Sequence, residues 1–314
     1  MTQHLFGELL ALATAVTWAF AVVLFKLSGE RIPPLALNLY KNVVALTLLG
    51  LTLGLSIAAG HDSLNVLRAC PRGDVCLLLL SGIIGIALAD TLFFHALNRI
   101  GVGLMAIVDC CYSPLMVLFA WLLLGERLTP WHYVGAGLIV TAVFTATRHD
   151  LPPGRTPRQI AVGSLLAVLA IALMVFGIVI VKPILESFPF LWATGLRLAA
   201  GTVALALFAL RGRNWRAHWA VFRPAASWRY ALPGSFLGAY LCLMLWMGGL
   251  KYTYASIVGI LSQTSVVFQV VLATLILKEA FGRRRIVALL LAIAGVAVVT
   301  LSERLQAAAL KLPL

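Results

Sequence analysis

Four ionisable residues, Lys41, Asp90, Asp109 and Arg197, each fall inside a stretch of otherwise apolar sequence. A charged side chain at membrane depth is costly, and it persists where it pairs, binds a solute or carries a proton. Two cations and two carboxylates can neutralise one another, hold an anionic group or pass protons. Their neighbours extend the pattern. Asn38, Lys41 and Asn42 follow i, i+3, i+4 spacing and share one helix face, as do Asp109, Tyr112 and Ser113. Thr194 with Arg197, and Ser262 with Ser265 and Gln269, make two further polar stripes. At 1.5 Å per residue Lys41 lies ~10 Å in from Pro34, and Asp90 and Asp109 lie ~10–12 Å from the corner at Leu97 to Gly101. The spacing predicts that these three meet if their helices surround one cavity. Solute contacts are expected from Trp18, Asn38, Lys41, Asn42, Tyr112, Ser113, Arg197, Ser262, Ser265 and Gln269, and proton coupling from Asp109 and Asp90. The competing reading is a polar seam that only holds helices together.

These residues ride on ten apolar runs, roughly 5–25, 34–58, 74–96, 101–124, 132–147, 160–181, 189–210, 230–250, 254–277 and 286–302. A spanning helix needs ~20 such residues. The chain of 314 residues is 62% hydrophobic and 11% charged, whereas a soluble domain carries about 25% charged residues. No water-soluble surface can be built from that inventory, so the fold class is an all-α polytopic membrane protein with ten transmembrane helices. The longest connection, 211–229, is too short for an independent domain, which excludes a soluble catalytic or nucleic-acid-binding module. The first run is span-length with no basic segment before it, so no cleavable signal peptide is expected. Cys110, Cys111 and Cys242 sit within spans, and Cys70 and Cys76 have no matching pair, so no metal site is expected. No GxxxxGK[ST] stretch is present to cradle phosphates. The expected partners are a small-molecule solute and the lipid bilayer, with no cofactor, nucleic acid or ATPase subunit.

The chain repeats itself. Residues 7–26 lie over 163–182 at an offset of 156, matching Gly7 with Gly163, Phe20 with Phe176 and Lys26 with Lys182, and the same offset sets Lys41 on Arg197. Later the offset is 153 and aligns Leu97 with Leu250, Glu126 with Glu279 and Val143 with Val296. The expected units are five-helix repeats at 5–147 and 160–302. Five is odd, so the second repeat must enter the membrane in the opposite direction. Inverted repeats are a recurrent transporter design, with the solute site near the midplane between them. Asp90 and Asp109 have no acidic counterparts, since Leu243 and Ser262 occupy the matching positions.

Four local features then carry a resemblance: Gly125-Glu126 and Lys278-Glu279 at the ends of the fourth and ninth runs, the Ala96-Leu97 corner, and Ser113-Pro114. With them the chain resembles the drug/metabolite transporter superfamily, in particular its ten-helix EamA-type members. The second half departs from the pattern, with Val266-Val267 in place of Ser-Pro and Lys278 in place of glycine. The resemblance implies transport of amino acids, other metabolites, sugars, nucleotide-sugars or drugs; with the inverted repeat and the intramembrane carboxylates, the expectation is a secondary exporter in the inner cell membrane that works by alternating access with proton coupling. Two alternatives stand beside it. A flippase for a lipid-linked intermediate would share the fold. An intramembrane hydrolase would need a serine and histidine in facing spans, but only His95 lies near a core and there is no GxSxG step.

The net charge of +13 reads as orientation rather than nucleic-acid binding, because the basic residues lie in connections. Of 24 Lys and Arg, fifteen fall in odd-numbered connections and six on the other side, which puts both termini outside; the resemblance implies cytoplasmic termini instead. On the charge count, a green fluorescent protein fused to the C-terminus stays dark, because that reporter matures in the cytoplasm. Bright cells reverse the orientation.

Overall fold

The computed structural model describes residues 2–301 apart from 62, 64, 67–69, 126–128, 150–155, 212–214, 224–225, 253–260 and 281. The described residues are mostly helical and contain no strand. In the first half, α1 (Thr2–Gly29) and α2 (Pro34–Ala58) are followed by α3 (Arg72–Gly82), a π-helical segment (Ile83–Leu88), α4 (Ala89–Asp109), α5 (Tyr112–Leu124) and α6 (Pro130–His149). In the second, α7 (Pro157–Val179) leads to the short α8 (Lys182–Ser187), α9 (Phe190–Arg211) and the short α10 (Trp215–Trp219). A second π-helical segment (Phe236–Leu241) then joins α11 (Trp228–Ser235) to α12 (Cys242–Tyr252), before α13 (Ser265–Ile276) and α14 (Arg283–Thr300). Six helical stretches are long and apolar enough to cross a membrane, and 112–124 and 261–276 add shorter apolar helices. Each of the ten expected runs is largely helical among its described residues.

The packing follows the repeat. α1 packs on α11, α12 and α13, while its sequence counterpart α7 packs on the first π segment, α4 and α5. α2 meets α9, and α6 meets α14, each pairing an element with its own counterpart. Exchanging the halves therefore maps these contacts onto themselves. Small residues permit the close crossings. Gly85 faces Gly177, where an added Cβ on Gly177 would lie 3.2 Å from the Gly85 backbone. The matching crossing sets Gly238 against Ala21 at 2.8 Å. Gly135 and Gly295 approach each other's backbone in the same way where α6 crosses α14. Without hydrophobic driving force between helices in lipid, such backbone contact is a main source of association.

The π segments also recur at the offset of 153, and so do the breaks that follow them. Helix stops at Cys110 and Cys111 in the first half and at Thr264 in the second. Pro114, which cannot donate to a preceding carbonyl, accounts for a bend beyond Asp109. Its counterpart is Val267, so the second break has no proline and is a property of the repeat rather than of that residue. One break is asymmetric: α7 ends before Pro183, whereas α1 runs continuously past the matching Leu27.

Gly101, at φ 79, breaks the helix at the corner between the third and fourth runs, and the helix restarts at Val102. Glu279 seals the restart, accepting from the Val102 N–H at 2.8 Å and the Gly103 N–H at 2.9 Å. A carboxylate on two free N–H groups at a helix start combines charge-assisted hydrogen bonds with the favourable dipole. A side chain at position 101 would collide with that carboxylate. Glu279 thus caps across the two halves a helix start 177 residues away in sequence. Its repeat partner Glu126 lies outside the described residues. Glu279→Gln turns one acceptor into a donor facing an N–H, and should lower stability by ~1.5–3 kcal/mol. A thermal melt of the purified variant checks this; an unchanged Tm removes the cap from the account.

Candidate functional site

Lys41 forms an ion pair with Asp90, and the two side chains retain 11% and 16% exposure. Its ammonium also lies 5.7 Å from the centroid of the Phe94 ring, one turn beyond Asp90. The depth arithmetic set both carboxylates level with Lys41, and the structure gives Lys41 to Asp90. Asp109 instead lies beside Gln269. Gln269 is fully buried, and neither atom of its side-chain amide has a hydrogen-bond partner.

The π segment explains which carboxylate wins. It adds a residue to the turn and rotates everything after it, so Asp90 comes round to face α2. Asn38 holds this geometry: its amide nitrogen donates to the Ile86 carbonyl at 2.9 Å, the Ala87 carbonyl at 3.3 Å and the Thr91 hydroxyl at 3.0 Å. Asn42 in turn donates to the Asn38 oxygen at 3.0 Å. Asn38 was expected to touch solute. Both ends of its amide are engaged by protein, and two of its acceptors are carbonyls of the π segment that precedes Asp90. Asn42 keeps a buried side-chain oxygen without a partner.

Arg197 enters from α9, which packs on α2 and α3. Its electrostatic neighbours are Tyr112 and Asp90. The two cations matched across the repeats therefore converge on a single carboxylate. Gly82 lies against the backbone of Arg197, and Gly85 leaves room for the guanidinium, whose Nη2 is 3.7 Å from where a Cβ would sit.

Between the two breaks the halves meet through Gln263, which donates to Ser113 Oγ at 3.2 Å. Ser265 is buried, and Ser262 presents a buried hydroxyl with no partner. Trp18 packs its ring 6.1 Å from Phe93, on the helix that carries Asp90. The residues thus fall into two groups: Lys41, Asp90, Arg197 and Tyr112 in one, and Asp109, Gln269, Ser113 and Gln263 in the other, joined along the face of the fourth span. Thr91 and Gln263 were not foreseen. Gln263 had a signal, since it follows Ser262 and is the repeat partner of Cys110. A cavity of about 130 Å³ opens beside the breaks, lined by Cys110, Gln263, Thr264, Val267, Ile293, Val296 and Ala297, and none of the predicted site residues lines it.

The arrangement can hold a charged solute at membrane depth and place a second carboxylate beside it. Among the described residues no cluster of His, Cys, Asp or Glu could hold a metal ion.

Comparison with known proteins agrees with the all-helical, two-repeat fold. The sequence profile of the EamA-like transporter family matches residues 5–148 and 161–301. A solved crystal structure of a protein 23% identical superposes with a TM-score of 0.59, covering 97% of this chain and 99% of that one, which is a likeness of fold. No curated protein matches.

Proposed function

We propose that this chain, which belongs to the EamA-like transporter family, is a secondary active exporter of a small organic solute such as an amino acid or another metabolite. Membership makes it a multi-pass membrane transporter of small solutes. The proposal adds the mechanism, direction and site.

Two five-helix repeats, 5–147 and 160–302, run in opposite directions through the inner cell membrane and open the site alternately to each side. The observation that carries this reading is the convergence of Lys41 and Arg197, matched across the repeats, on Asp90, which has no match. Symmetry provides two equivalent half-open states, and the unpaired carboxylates give one half a chemistry the other lacks. The breaks near residues 110 and 264 support it, because interrupted helices at corresponding positions of two halves mark solute sites in transporters. Asp109 is the proton carrier: a proton binds from one side and leaves when solute enters from the other.

The test is accumulation of solute in sealed proteoliposomes under an imposed pH gradient. Gradient-dependent accumulation that vanishes when the membrane is permeabilised supports transport. Turnover of solute that survives permeabilisation belongs to an enzyme and overturns the reading.

A further inference from the structure

We infer that the solute carries an anionic group with two accepting oxygens, of carboxylate or phosphate type, and that Arg197, rather than Lys41, receives it. The inference rests on the transporter reading and narrows its solute.

The argument is one of charge and pairing. Among the described residues the ion pair at membrane depth joins Lys41 to Asp90, so Lys41 is already neutralised. The carboxylate that Arg197 senses is that same Asp90. The group of Lys41, Asp90 and Arg197 therefore carries one excess positive charge. Among the described residues Arg197 makes no ion pair or hydrogen bond, and its Nε is buried without a partner. An arginine that merely glued helices would direct its five donors to backbone carbonyls, as Asn38 directs its amide nitrogen a turn away. Arg197 is half-buried, so a guanidinium left without a partner at membrane depth is costly, and the protein retains that cost where a ligand removes it.

The geometry also fits a fork. A guanidinium presents paired N–H groups that match two oxygens, whereas an ammonium acts as a point charge. Gly85 leaves the guanidinium unobstructed and Gly82 fixes the backbone that carries it. Tyr112, the other electrostatic neighbour, places a hydroxyl-bearing ring beside the same spot. From there the rest of the solute points along the fourth span toward Ser113 and Asp109.

The experiment has two arms, both read as Tm of the full chain in detergent. The first needs no solute. Arg197→Met removes an uncompensated charge, so its Tm without added solute is expected to equal or exceed that of the wild type; a lowered Tm identifies structural glue and overturns the inference. The second uses matched probes that differ only in charge: 3-phenylpropionate, 3-phenylpropanol and 3-phenylpropylamine, with lactate, glycerol, ethanolamine and inorganic phosphate as smaller members. Bound solute raises Tm by mass action. Stabilisation is expected from the anions, with half-saturation weakened about tenfold or more by Arg197→Met and less by Arg197→Lys. Asp90→Asn releases Lys41 as a second cation and is expected to tighten anion binding. Stabilisation by the neutral or cationic members alone, undiminished anion binding by Arg197→Met, or weaker anion binding by Asp90→Asn overturns it. A chain that accumulates only neutral or cationic solutes in sealed vesicles refutes this inference and leaves the transporter reading intact, whereas a chain that accumulates nothing refutes that reading itself.

Discussion

Asp109→Asn is expected to abolish gradient-driven accumulation of solute while leaving binding and passive exchange in place. Asparagine keeps the shape of aspartate and its place beside Gln269, but it cannot release a proton. Asp109 is suited to the role because it has no ion-pair partner among the described residues, while Lys41 is held by Asp90. A carboxylate without a fixed counter-charge gains or loses its proton according to what stands beside it. When solute enters and places its own charge on the face shared by Tyr112 and Ser113, proton affinity at Asp109 must change. A proton can then move only in exchange for solute. Uptake against a gradient should fall to the passive level, while counterflow between equal solute pools should persist. If the variant still concentrates solute at the wild-type dependence on ΔpH, Asp109 is not the coupling residue, and Asp90 becomes the candidate.

Gly82→Ala should cost more than most changes of one methyl group. A Cβ at position 82 would lie 2.7 Å from the carbonyl carbon of Arg197 and 2.8 Å from its Cα, so backbone rather than a flexible tip must move. Overpacking of this kind costs ~1–3 kcal/mol, and the displaced group is the one that presents the guanidinium. The variant should therefore show a lowered Tm together with weakened solute binding. Gly54→Ala on α2 is the control, because a Cβ there meets nothing within 4 Å. Equal behaviour of the two variants would mean that the approach of α3 to α9 does not position the site.

Much of this was legible in the sequence, and the failures share a cause. Helical rise gave the depth of Lys41 and Asp90 and brought them to one level. It could not give azimuth, so it left Asp90 and Asp109 as equal partners for Lys41. The deciding element is the π segment at Ile83–Leu88, whose sequence IIGIAL carries no mark that separates it from ordinary helix. Asn38 was recognised as polar and inward-facing, but its acceptors are the π-segment carbonyls, which cannot be foreseen without the segment. The break in the fourth span was announced by Pro114, while its counterpart near Thr264 has only valines to announce it. Glu279 stands at a span end, a position open to capping or to pairing; its partners depend on how the halves cross, which is long-range packing rather than local pattern.

The central claim is that one site between the two halves is reached alternately from both sides of the membrane. Ser113 lies at that boundary, with its hydroxyl held by Gln263 of the other half. The most direct measurement places a single cysteine there, as Ser113→Cys in a chain whose five native cysteines are replaced by alanine, and follows its reaction with a membrane-impermeant thiol reagent in right-side-out and inverted vesicles. The account predicts labelling from both sides, with solute slowing it from each. Labelling from one side only, in the presence and absence of solute, would contradict it.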